Sequence, residues 1–162
     1  MKKYIISVMV EDKFGVLARV AGLFSGRGYN IESLAVAPTS EPGISMMTIV
    51  TRGDERVIEQ VTKQLNKLIN VIKVTDMSER DFLDREMLLV RVSAEREKRD
   101  EILRIAGIFK ARVVDVAQKS LTLEVTGTDD KIDAVLRILR PLGIRELVRS
   151  GKVAMLRAEP RS

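Results

Sequence analysis

The sequence contains no cysteine, no histidine and no tryptophan. Without cysteine there can be no disulfide and no zinc–thiolate site. Without histidine the commonest general base and the commonest transition-metal ligand are missing. Aromatics make up only 4% of the chain, so a core has to rest on Val, Ile, Leu, Ala and Met. No apolar run approaches the length that spans a bilayer. The opening, MKKYIISVMVED, alternates like a strand and shows no cleavage site, so it is not read as a signal peptide. Together these absences lead to the expectation of a cytoplasmic protein with no membrane partner.

Nor is there a concentrated charge. The net charge is +5, but residues 1–76 carry 10 basic and 8 acidic groups and residues 77–162 carry 18 and 15. The excess is interleaved with acids, and no basic run is broken by stacking aromatics. A solvated surface is expected, with no nucleic-acid partner.

What the 162 residues do contain is a repeated order of elements. Tyr4, Ile6, Val8 and Val10 alternate with Ile5, Ser7 and Met9, which predicts a central strand. From Gly15, the residues Val16, Leu17, Val20, Leu23 and Phe24 recur at helical spacing, and Gly26 and Gly28 stop the helix. A second strand is read from Asn30 to Pro38 and a third from Ile44 to Thr51, joined by the polar turn PTSEPG. Asp54 caps a second helix carrying Val57, Ile58, Val61, Leu65 and Leu68, and a strand from Val71 to Met77 follows.

After a charged stretch the order returns: strand Met87–Ala94, helix Asp100–Phe109, a hairpin of 112–117 and 121–126, helix Asp129–Arg140 ended by Pro141 and Gly143, and a last strand Val148–Leu156. Residues repeat too. Arg19-Val-Ala-Gly-Leu-Phe24 matches Arg104-Ile-Ala-Gly-Ile-Phe109. Arg27 and Asn30 match Arg112 and Asp115, and Val50-Thr51 with Asp54 match Val125-Thr126 with Asp129. The fold class expected is α+β: two tandem ferredoxin-like βαββαβ domains, each an antiparallel four-stranded sheet with two helices on one face. The domains are placed at residues 1–77 and 86–162, with a linker at 78–85.

The loop Glu11-Asp-Lys-Phe14 before Gly15 is the candidate site. A helix N-terminus offers unpaired N–H groups and the positive end of a dipole. Gly15 lets a carboxylate approach the amides of Gly15, Val16 and Leu17, and Asp12 can pair with an ammonium group. Phe14, Val16 and Leu17 can surround an apolar side chain, and Asn30 can read the polar end from a neighbouring strand. Such an arrangement suits a free amino acid. A plainer reading stays open, in which Gly15 permits a turn, Asp12 caps the helix and Asn30 tolerates a turn conformation. The second copy has a longer loop, Glu95–Arg99, and Asp100 in place of Gly15. The glycines at 22, 26 and 28 end a helix rather than open one, so they are no phosphate loop. Asp129, Asp130 and Asp133 look like metal ligands but suit a helix dipole, so no metal is expected. No catalytic constellation is legible.

The βαββαβ order with Asp12-Lys-Phe-Gly15-Val-Leu17 resembles the ACT domain, a small-molecule sensing module. The longer run Gly15 to Leu34, with Val36-Ala-Pro-Thr39 and Met47-Thr-Ile-Val50, is similar to the regulatory small subunits of acetolactate synthase, and Arg85–Val90 resembles the start of their second domain. The resemblance implies a chain with no catalytic residues that binds the catalytic large subunit, raises its activity and makes it sensitive to feedback inhibition by valine in branched-chain amino acid synthesis. It implies a homodimer through the ACT domains, with L-valine or another branched-chain amino acid at Asp12, Gly15, Val16, Leu17, Asn30 and Ala37. Thiamine diphosphate, FAD and magnesium are expected on the catalytic subunit and no cofactor on this chain. Phe14 stands where the common ACT pattern has proline, and Asp12 where relatives carry asparagine. A stand-alone ACT-type sensor for another enzyme or regulator is the alternative.

Overall fold

A computed structural model describes residues 1–159. The chain divides into two units, Met1–Leu83 with the residues from Lys152 onward, and Asp84–Gly151.

In the first unit the elements are β1 (Lys2–Glu11), α1 (Val16–Ser25), β2 (Ile31–Pro38), β3 (Ile44–Gly53), α2 (Glu55–Asn66) and β4 (Val71–Asp76). The antiparallel sheet has the order β2-β3-β1-β4. The apolar faces of β1 explain its central place. Tyr4, Ile6, Val8 and Val10 meet Val16, Val20 and Phe24 of α1 and Ile58, Val61 and Leu65 of α2 in one core. Asp54 accepts from Val57 N at 2.9 Å, as an N-cap should. Only Gly28 of the two expected stop glycines is left-handed (φ 72), whereas Gly26 keeps helical angles. Gly28 closes a Schellman motif, with Tyr29 N donating to Phe24 O (2.9 Å) and Gly28 N to Ser25 O (3.2 Å).

In the second unit β5 (Phe82–Ser93), α3 (Arg99–Phe109), β6 (Arg112–Val116), β7 (Ser120–Gly127), α4 (Asp129–Gly143) and β8 (Ile144–Arg149) repeat the order. The sheet runs β6-β7-β5-β8. Its own core joins Leu88, Val90 and Val92 to Ile102, Leu123, Ile132 and Leu139. Glu86, 7% exposed, pairs with Arg149, which also reaches Asp133 at 3.0 Å. The expected acidic cluster is thereby divided: Asp129 and Asp130 lie in the first turn of α4 and Asp133 serves Arg149.

Several expectations are corrected. The linker is shorter, because β5 begins at Phe82 rather than after Arg85. The expected last strand is two strands, β8 and β9 (Val153–Leu156), separated by a turn with Gly151 at φ 80. β9 groups with the first unit rather than the second, and residues 160–162 of the expected second domain lie outside the described residues. Within the first unit β9 touches β1, Arg157 N donates to Asp81 O at 3.0 Å, and Lys152 N to Ser33 Oγ at 2.9 Å. The last helix runs through Pro141 and stops at Gly143 (φ 97). The internal matches also shift. The N-cap equivalent to Asp54 is Thr128, not Asp129. Arg112 and Asp115 sit inside β6, facing Glu124 and Thr122, whereas Arg27 and Asn30 precede β2. Among the described residues no helix is long and apolar enough to cross a membrane.

Candidate functional site

The loop from Asp12 to Gly15 leaves the central strand at the edge of the helix layer. Asp12 N donates to Gly43 O (2.7 Å) and Lys13 N to Glu11 O (2.9 Å), while Lys13 Nζ pairs with Glu11 at 2.7 Å. Gly15 is the N-cap of α1 at φ 82, ψ −2, and no side chain caps the helix. That removes the reading of Asp12 as a cap. A residue with a Cβ is strained at this φ even though nothing lies within 4 Å of the place a Cβ would take.

The helix opens toward solvent. Asp12, Lys13, Phe14, Gly15 and Leu17 are exposed, and Val16 is buried in the core. The three expected amides are not equal. Val16 N is within 3.3 Å of Lys13 O, a long hydrogen bond, whereas the amides of Gly15 and Leu17, and of Ala18 after them, have no acceptor among the described residues. The unpaired N–H groups at this helix start are therefore those of Gly15, Leu17 and Ala18.

Asn30 and Ala37 are positioned differently from the loop. Ile31 pairs with Thr51, and Thr51 with Tyr4, so Asn30 lies level with the start of β1; its carbonyl accepts from Thr51 Oγ1 at 2.7 Å. Gly15 lies past the other end of β1. A ten-residue α1, about 15 Å long, separates the two within one protomer. Ala37 pairs with Met46 and Val36 with Met47. Met47 is a core residue under the helices, so Val36 shares their face and Ala37 points to the opposite one. The Ala37 methyl group therefore lies on the sheet face away from the helices. β2 is an edge strand, with one side of its backbone unpaired among the described residues.

The second unit treats the same place differently, and sequence reasoning missed it. Arg99, the first residue of α3, donates from Nε to Ala94 O (3.0 Å) and from Nη2 to Gln118 O (2.8 Å) and Ala117 O. In the charged string Glu95-Arg-Glu-Lys-Arg99 nothing singles this arginine out except its position at the helix start. The expectation that Asp100 stands in place of Gly15 hid that position: the N-cap equivalent to Gly15 is Lys98.

Known proteins share both halves. A family model described as the AHAS small subunit-like ACT domain matches residues 6–73, and one described as the small subunit of acetolactate synthase matches residues 85–158. The probable acetolactate synthase small subunit of Archaeoglobus fulgidus is 55% identical over 155 residues, covering 96% of this chain and 97% of that protein. The acetolactate synthase small subunit of Aquifex aeolicus is 51% identical over 158 residues, covering 97% of this chain and 82% of its own. The crystal structure of the Thermotoga maritima small subunit matches with a TM-score of 0.90 at 35% identity, covering 98% of this chain and 99% of that one. From the repeated ferredoxin-like halves to these whole-length matches, the chain belongs to the acetolactate synthase small-subunit family.

Proposed function

We propose that this chain is the regulatory subunit of acetolactate synthase, acting on a separate catalytic subunit as activator and as the sensor for feedback inhibition by L-valine or another branched-chain amino acid. The catalytic subunit carries thiamine diphosphate, FAD and magnesium, and this chain contributes no catalytic group. The observation that carries the reading is the uncapped, glycine-led start of α1, in a unit whose β2 edge is unpaired among the described residues. The effector's carboxylate takes the free amides of the first turn, and Asp12 takes its ammonium group. Leu17 and Val36, both exposed, offer apolar surface on the same side of the sheet.

A second protomer completes the site. Two β2 edges paired antiparallel about a two-fold axis put the Asn30 end of one strand against the Ala37 end of the other. Asn30 of the partner then meets the loop that it cannot reach within its own chain. Effector bound across this seam favours one arrangement of the dimer. The catalytic subunit feels that as a population shift no larger than the effector's differential affinity.

Calorimetric titration with L-valine tests the reading, with D-valine and L-leucine as controls. Saturable binding at no more than about one site per protomer is expected, lost in Gly15→Asp while activation of the catalytic subunit survives. Valine inhibition retained by Gly15→Asp would refute the placement.

A further inference from the structure

The two units close one junction in two ways. In the first, Asp12 N donates to Gly43 O (2.7 Å) and Thr39 N to Ile44 O (2.8 Å). In the second, Ala94 N donates to Lys119 O (2.9 Å) and Ala117 N to Ser120 O (2.9 Å). Each pair ties the end of the unit's first strand to the start of its third and shuts the hairpin. Ala94 therefore corresponds to Asp12 and Ala117 to Thr39, whatever the residue-by-residue sequence match suggests.

In the second unit one guanidinium spans this junction. Arg99 bonds Ala94 O on the loop and Ala117 O and Gln118 O on the hairpin. Among the described residues no carboxylate forms an ion pair with it, so its charge is received by carbonyl oxygens alone. A planar fork with several N–H donors suits three carbonyls from two segments; a lysine, a point charge on a flexible stem, does not. The first unit has no such bridge. Its first helical residue is Val16, buried in the core, and among the described residues no side chain donates to the Asp12 carbonyl.

We propose that Arg99 is a built-in ligand. The loop–hairpin junction of the second unit is a receptor for a guanidinium-type cation, and the chain fills it with its own side chain. Arg99 acts as a positioning residue, fixing the loop Ala94–Lys98 against the hairpin. The second unit is thereby closed to an outside ligand at the place where the first is open. The inference stands on the second unit's own contacts and is independent of the effector reading.

Chemical rescue tests it on the full chain. Arg99→Ala is unfolded thermally with and without methylguanidinium chloride, with sodium chloride at matched ionic strength and the unsubstituted chain as controls. The substitution is expected to lower the midpoint by roughly 4–8 °C. Methylguanidinium at concentrations well below denaturing ones should restore part of that loss in a saturable way in the variant alone. Amide resonances of Ala94, Gln118 and Lys119 should follow the titration. Arg99→Lys should not recover the loss. If Arg99→Ala does not fold, Arg99→Gln, which keeps the length and loses the fork, goes through the same titration. An unchanged midpoint, or methylguanidinium moving both chains alike, would overturn the proposal.

Discussion

If the effector site is shared between protomers, two defective chains should repair each other. Asn30 lies level with Tyr4, and the Asp12–Gly15 loop begins past Glu11, at the other end of the same strand. At about 3.4 Å per residue the two ends of that strand are about 24 Å apart, far beyond the reach of one amino acid. In a two-fold dimer each site therefore takes Gly15 from one chain and Asn30 from the other. Gly15→Asp and Asn30→Ala homodimers should each lose valine binding. When the two variants are mixed and allowed to exchange, about half the dimers are mixed, and each mixed dimer has one site with both lesions and one with none. About a quarter of all sites should return. A chain carrying both substitutions, mixed with unsubstituted chain, gives mixed dimers with no intact site and serves as the control. The readout is calorimetric stoichiometry with L-valine, before and after exchange. Sites that do not return on mixing, or an Asn30→Ala homodimer that binds normally, would sink the shared-site geometry.

Three further outcomes are expected. Gly15→Ala should lower stability by about 1 kcal/mol in urea unfolding, since only the backbone conformation is strained, and Gly15→Asn should cost less because asparagine tolerates the left-handed region; equal stability of all three chains would contradict the positive φ. Arg149→Met should cost about 2–3 kcal/mol, less than for a fully buried pair because Arg149 is a third exposed, and Glu86→Leu added to it should recover much of the loss; a double variant as unstable as the single one would contradict this. The hydrogen bond from Lys2, reinforced by its charge, holds the Glu79 carboxyl below its ordinary range and raises the Lys2 ammonium in turn. The Glu79 contribution is therefore present above its unfolded value and lost as pH falls through its lowered folded value, while the Lys2 contribution is lost only as pH climbs past its raised one. NMR titration should find the Glu79 midpoint moving up in Lys2→Met and with added salt; a midpoint unmoved by either would remove the pair.

Much of the fold was legible because period and punctuation carry it. The two-faced alternation of β1 announced a central strand, and Gly28 marked its helix end with the one backbone conformation that suits glycine. What stayed hidden depends on distant partners. Phe82–Arg85 reads as a charged linker because its charges hide any alternation, and it is the start of β5. Pro141 reads as a stop, but the helix tolerates it in its last turn and ends at Gly143. In the site, Gly15 and its helix start were legible from spacing. The distance of Asn30 from Gly15 was also there to be read, since a ten-residue helix separates them. Arg99 was not legible, because carbonyl partners leave no mark on the composition of the loop that supplies them.

The return of β9 makes the second unit an insert in the first. The polypeptide leaves the first unit after Leu83 and re-enters it at Lys152. On the ribosome, the N-terminal half is therefore made first but finished last: its β9 partner emerges only after all of Asp84–Gly151 has been synthesised. Until then the Ser33 hydroxyl lacks its Lys152 amide and Asp81 lacks Arg157. A gene cut at the apparent boundary would yield a first unit without β9. A self-standing one requires Leu83 spliced onward to Lys152, and a protease needs two cuts, not one, to part the halves.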